Sequence, residues 1–286
     1  MKLRVHHRTE YVYENPVTQS VNELRLQPPS TKAQVCLSSF ISVLPPTRLL
    51  HYHDLFRNTV HRFEIPEAHG RLVVESRCTV EKHAEVDFKD LPYGSSHDDL
   101  PYCRRLLECH EFLQGSFFVE LSPEVWRQAI DVRDESTDVF QTAYAIMQHI
   151  FENYQYDAGA TNVSTHANEV FVSRKGVCQD FAHVMLGMCR SLGIPARYVS
   201  GYFLDNTRGS QMRGSDASHA WVEVYLTAQN GWVGLDPTNN QVVDDRYIKL
   251  ASGRDYRDAA PIEGTYWGGG GTRLRVLVTV DQITMG

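Results

Sequence analysis

The chain has 286 residues, 42% of them hydrophobic and 22% charged, enough for one large core or two. A net charge of -7 at pH 7, with no basic stripe, gives no footing for nucleic-acid binding, and no apolar run is long enough to span a membrane. The first residues, Met1-Lys2-Leu3-Arg4-Val5-His6-His7-Arg8, lack the apolar stretch of a secretory signal, so a cytoplasmic protein is expected.

Short segments rich in β-branched and aromatic residues fill the first 85 or so positions: 3–13, 21–26, 35–43, 59–65 and 71–80. Turn formers separate them, among them Asn15-Pro16, Pro28-Pro29-Ser30 and Pro45-Pro46. This spacing predicts an all-β domain, a sandwich or barrel, over residues 1–90. His51, His53 and His61 lie on polar stretches and read as surface residues, not metal ligands. Residues 91–120 read as a connector. Ser122-Pro123-Glu124 and Ser136 then mark the starts of two helices, the second carrying a wide apolar stripe from Val139 to Phe151.

The most informative stretch runs from Gly176 to Tyr202. Phe181, Val184, Met185, Met188, Cys189 and Leu192 recur at three- and four-residue intervals, one face of a helix, and Gly193 and Pro195 are placed to end it. Gly176 permits a sharp turn just before Cys178. Cys178 then falls in the first helical turn, where unpaired N–H groups and the helix dipole favour a thiolate and a developing oxyanion. The plain alternative is a small buried hydrophobe. The other five cysteines, at 36, 78, 103, 109 and 189, have neither a disulfide-framework spacing nor the tight spacing of a zinc site, so free thiols are expected.

A polar loop at 204–217 leads to a strand at 218–226, with Ala220, Val222, Val224 and Leu226 on one face and His219, Trp221, Glu223 and Tyr225 on the other. A second strand, 232–235, ends at Asp236-Pro237-Thr238. A thiol nucleophile needs a histidine base, oriented in turn by a carboxylate or amide, and Cys178, His219 and Asp236 offer that set on a helix and two neighbouring strands. Asn230-Gly231 is a strong two-residue hairpin signal. A symmetric hairpin there sets Asp236 opposite Tyr225, about 20 Å from His219. Placing Asp236 opposite His219 requires the hairpin to centre between Thr227 and Ala228, or to carry a wider loop or bulge.

Three blocks, Gly176-Val177-Cys178-Gln179-Asp180-Phe181-Ala182-His183 through Arg197, Ser218-His219-Ala220-Trp221-Val222-Glu223-Val224, and Gly231-Trp232-Val233-Gly234-Leu235-Asp236-Pro237-Thr238, resemble the transglutaminase-like superfamily, in particular its bacterial cysteine-peptidase-like branch. The leading β segment and the stretch from Gly253 to Pro261 are similar to that branch as well. The resemblance implies an α+β fold: a papain-like, transglutaminase-like core over residues 121–286 with an N-terminal β domain. It implies Cys178 as nucleophile, His219 as base and acid, and Asp236 as orienting carboxylate; no cofactor or metal is expected from the sequence itself, which shows no calcium-loop pattern. The implied chemistry is acyl transfer on a peptide or protein substrate, by hydrolysis or by transamidation. A non-catalytic binding module on the same fold is the reading from another class. Asp180 reads as stabilising the helix start, His183 as packed, and Trp221 as core or cleft wall.

Overall fold

In the computed structural model, residues 1–83, 91–205, 213 and 218–283 are described; the boundary expected near residue 90 and most of the loop expected at 204–217 fall outside them. Five strands come first: β1 (Lys2–Leu24), β2 (Gln34–Leu44), β3 (Leu50–His53), β4 (Thr59–Ile65) and β5 (His69–Lys82). Asn15-Pro16 does not end a strand. β1 runs through it, and the register against β5 slips between Val12 and Val17, so the turn formers produce a bulge. The segment 91–120, expected as a connector, holds two short helices, α1 (Leu100–Cys103) and α2 (Leu107–His110).

Helix α3 (Pro123–Arg133) starts as expected, with the Ser122 hydroxyl accepting from the Val125 N–H. Helix α4 (Val139–Asn153) starts two residues later than the Ser136 signal suggests, because Asp138 is the residue whose side chain accepts from the Gln141 N–H, at 2.9 Å. There follow β6 (Gln155–Tyr156), α5 (Ala167–Ser173), β7 (Lys175–Gly176), α6 (Cys178–Ser191), β8 (Ala196–Phe203), β9 (His219–Leu226), β10 (Gly231–Asp236), β11 (Gln241–Val242), β12 (Tyr247–Gly253), α7 (Tyr256–Ala259), β13 (Ile262–Gly268) and β14 (Thr272–Gln282).

The N-terminal strands form one curled antiparallel sheet in the order β2-β5-β1-β4-β3. The last two strands return to it: β13 pairs with residues 17–24 of β1 and β14 with residues 3–13. Residues 262–282, grouped by sequence with the core, therefore lie along β1. The second sheet has the order β11-β10-β9-β8-β12. Its inner face, Ala220, Val222, Val224 and Leu226 of β9 included, packs with Phe181, Met185 and Met188 of α6 and Ile146, Met147 and Ile150 of α4. The alternation read from the sequence thus places the apolar side of β9 under the helices. The mixed architecture is the expected α+β fold.

The two sheets share a core. Tyr202, Leu204, Ile248 and Leu250 of the second sheet pack with Leu3, Val5, Val74 and Val80 of the first. β12 is an edge strand, and side-chain amides from the first sheet close it. Gln34 donates to the Lys249 carbonyl and accepts from its N–H, and Asn58 does the same for Ser252, at 2.8–3.0 Å. Each amide supplies the donor and acceptor that a further strand would have offered. At the far end of α6, the buried Arg190 donates to the carbonyls of Ala196, Gln114 and Arg254, which ties the helix to three separate segments.

Glu223, on the outer face of β9, sits between Arg197 (2.6 Å) and Lys249 (2.8 Å). Burial opposes its charge, but the two cations outweigh burial and lower its pKa from 4.5 to about 2. Glu223→Gln removes the counter-charge that Arg197 and Lys249 share and should cost about 3 kcal/mol, read as a lower urea midpoint at unchanged slope. Because the folded pKa lies below the unfolded one, this contribution is present above 4.5 and is lost as pH falls through about 2, so the difference between wild type and variant should close over that window.

Candidate active site

Helix α6 begins at Cys178, as its sequence pattern predicts, and Cys178 is half-buried against the main core. The start is fixed by Asp180, whose Oδ2 accepts from the Val177 N–H at 2.8 Å and from the Thr161 hydroxyl at 2.5 Å. Asp180 thus stabilises the helix start, as its place in the sequence suggests. Gly176 has a different task from the turn expected of it. A Cβ there would lie 2.6 Å from Asp180 Oδ2, so the missing side chain makes room for the capping carboxylate. Gly176→Ala should displace that cap and destabilise the protein by roughly 1–3 kcal/mol, measured by urea titration.

His219 opens β9 and Asp236 closes β10, both fully buried. The connecting hairpin centres neither on Asn230-Gly231 nor between Thr227 and Ala228. Gly231 pairs with Leu226 and Leu235 with Val222, so the loop spans residues 227–230 and Asp236 falls diagonally from His219, level with Trp221. Asn230 takes the positive φ of the turn (47°), and its N–H bonds the Thr227 carbonyl. Diagonal neighbours across a sheet remain within reach of longer side chains. His219 Nε2 donates to Asp236 Oδ2 at 2.8 Å. A carboxylate only accepts, which fixes the proton on Nε2. Nδ1 has no hydrogen-bond partner among the described residues, and the Cys178 sulfur lies near enough to help raise the pKa of the ring. With Nε2 occupied by Asp236, Nδ1 is the ring nitrogen left open.

Asp236 is held from several sides. Its Oδ1 accepts from the Thr238 N–H (2.9 Å), and its Oδ2 accepts from His219, from Asn239 Nδ2 (2.8 Å) and from the Tyr247 hydroxyl (2.9 Å). Burial raises its pKa, but the His219 charge and these bonds outweigh it, so the pKa is lowered. For His219 burial acts against the charged ring, and the Asp236 carboxylate, its hydrogen bond and the Cys178 sulfur outweigh it, raising the pKa from 6.5 to about 10. Phe203, Trp221 and Tyr247 pack around the imidazole, with ring centroids 4.9, 6.4 and 6.3 Å away, and keep water from the His219–Asp236 bond. Trp221 is therefore a wall of the site.

The three residues singled out by sequence are thus gathered in one place. The holders of Asp236 were not foreseen. Thr238 and Asn239 carried a signal, since Asp followed two residues later by a polar residue favours a side-chain turn. Tyr247 and Thr161 carried none. His183 is buried, accepts from the Tyr256 N–H at 3.1 Å and stacks on Phe118, a packed residue as expected; burial lowers its pKa to about 3. His51 and His53 are exposed on β3, and among the described residues no group of three or more potential metal ligands is present. Nor, among those residues, is any helix long and apolar enough to cross a membrane.

A His whose pKa rises on folding contributes stability that is fully present below 6.5 and is lost as pH rises through about 10. The melting temperature of wild type should therefore fall more steeply over that window than that of His219→Gln. Equal slopes in thermal melts would show that the imidazolium is not held.

Two family models match the chain: the transglutaminase-like superfamily over residues 127–237 and the bacterial transglutaminase-like N-terminal region over residues 3–81. Protein ML0607 of Mycobacterium leprae, itself uncharacterized, is 33% identical over 287 residues, covering 99% of each chain. Protein Rv2569c of Mycobacterium tuberculosis, also uncharacterized, is 34% identical over 92% of this chain and 87% of its own. Among solved structures, a candidate cysteine protease from Cytophaga hutchinsonii superposes with a TM-score of 0.81 at 23% identity, over 100% of this chain and 92% of its own, a likeness of fold.

Proposed function

Because the chain belongs to the transglutaminase-like superfamily, we propose that it is a cysteine-dependent enzyme that cleaves amide bonds of a peptide or protein through Cys178, His219 and Asp236. The observation that carries this reading is the position of His219, bonded to Asp236 at 2.8 Å on one nitrogen, unpartnered on the other, and near enough to the Cys178 sulfur to be acted on by it. Nδ1 holds the proton drawn from the thiol before substrate binds, as an imidazolium that the Asp236 charge stabilises. The sulfur attacks the carbonyl carbon. The first-turn N–H groups of α6 lack intrahelical partners and face the developing oxyanion. His219 then gives its proton to the departing amine, leaving a thioester on Cys178. A water, deprotonated by His219, attacks the thioester; the acid leaves and the thiol is restored.

A reducing, cytoplasmic setting would suit the six free thiols. An amine in place of the final water would turn the same steps into transamidation.

Alkylation with iodoacetamide near neutral pH should modify Cys178 at least about tenfold faster than the other thiols, with the advantage lost in His219→Ala. Uniform labelling would overturn the proposal. Wild type and Cys178→Ala should then be compared on peptide and amine libraries by product mass. A released acid identifies hydrolysis and an amine-bearing adduct identifies transfer. Turnover that persists in Cys178→Ala would remove the assigned nucleophile.

A further inference from the structure

The second sheet closes its β12 edge with Gln34 and Asn58, as described above. The first sheet leaves one long edge open. Among the described residues, β14 pairs with β1 alone, over eleven residues with no register shift. At its two ends the Ile283 N–H donates to the Lys2 carbonyl and the Gly271 carbonyl accepts from Glu14. Antiparallel pairing alternates, so the odd-numbered residues between them bond β1. The backbone N–H and C=O groups of Thr272, Leu274, Val276, Val278, Val280 and Gln282 therefore point outward, away from β1. The sheet's other free edges among the described residues are shorter or broken: β3 has four residues, β2 carries a register break between Cys36 and Ser38, and β13 has seven residues and a register break opposite Val17–Gln19. β14 has no proline, no lysine and no bulge, the usual devices that keep an edge from pairing. Leu274, Val276 and Leu277 on it are 54%, 39% and 53% exposed.

We propose that two copies of this chain associate through β14, antiparallel, about a two-fold axis at Leu277. The strand is self-complementary in that register. Thr272 meets Gln282 of the second copy, Leu274 meets Val280, and Val276 meets Val278, so every outward backbone group of both strands is satisfied. Between these pairs Leu277 faces its own copy, and Arg273 faces Asp281. Those are the closer, non-hydrogen-bonded positions, with Cα atoms about 4.5 Å apart. Among the described residues neither Arg273 nor Asp281 has an ion-pair partner, although Asp281 lies opposite Arg4 of β1. Leu274 and Val276 share a face with Val278 and Val280, which already pack on the core, so pairing would extend that core across the axis.

Sedimentation velocity of the full chain over a range of micromolar concentrations tests the arrangement. Wild type should be a dimer. Val276→Pro removes an outward N–H without touching the β1 ladder and should give a monomer. Arg273→Asp and Asp281→Arg should each raise the dimer dissociation constant by at least about tenfold, since like charges then face each other twice. An equimolar mixture of these two variants should restore the dimer, because Asp at 273 then meets Arg at 281 and Arg273 meets Asp281, a recovery that damaged folding could not produce. A monomeric wild type, a dimer that survives Val276→Pro, or a mixture that stays monomeric would each overturn the proposal.

Discussion

The hydrogen bond between His219 and Asp236 is the interaction on which the rest of this structure depends. It joins two fully buried ionisable groups, which water would otherwise separate and solvate. Such a pair is tolerated only when its remaining bonding capacity is met. Here Thr238, Asn239 and Tyr247 complete the carboxylate, and three aromatic rings enclose the imidazole. The ring is thereby fixed in orientation and in proton position, with one nitrogen free to address Cys178.

The scaffold places the sulfur just as firmly. Asp180 caps α6 at Val177, Gly176 gives that carboxylate room, and Arg190 anchors the other end of the helix to carbonyls from distant segments. These are bonds to backbone, which set position more tightly than contact between apolar surfaces can. The apolar faces of α4, α6 and β9 supply most of the favourable burial, and the polar ties select which packed arrangement is occupied.

The first sheet acts on the second through the same device. Gln34 and Asn58 take the place of a missing strand beside β12, and Tyr202, Ile248 and Leu250 enter the core of the first sheet. β12 begins at Tyr247, one of the groups that hold Asp236. The curled sheet is thus part of what fixes the site, and the chain returns to it at the end through β13 and β14.

Much of this was legible along the chain. The period of apolar residues between Phe181 and Leu192 defined α6 and put Cys178 in its first turn, and the alternation in β9 separated a core face from a polar one. Both follow from local geometry, which repeats every 3.6 or 2 residues whatever surrounds it. The resemblance of three short blocks named Cys178, His219 and Asp236. What neighbouring residues could not settle was anything that depended on distant contacts. The 227–230 loop overrode the Asn230-Gly231 signal because the register of a hairpin is set by burial along its whole length. β1 ran through Asn15-Pro16 because β5, β13 and β14 pair on either side of the bulge. Tyr247 reached Asp236, and residues 262–282 joined the first sheet, by contacts between segments far apart in sequence. The sequence by itself determined the elements and the reactive groups; only the folded chain decided their register and partners, because those are fixed by which buried donors and acceptors can be satisfied together.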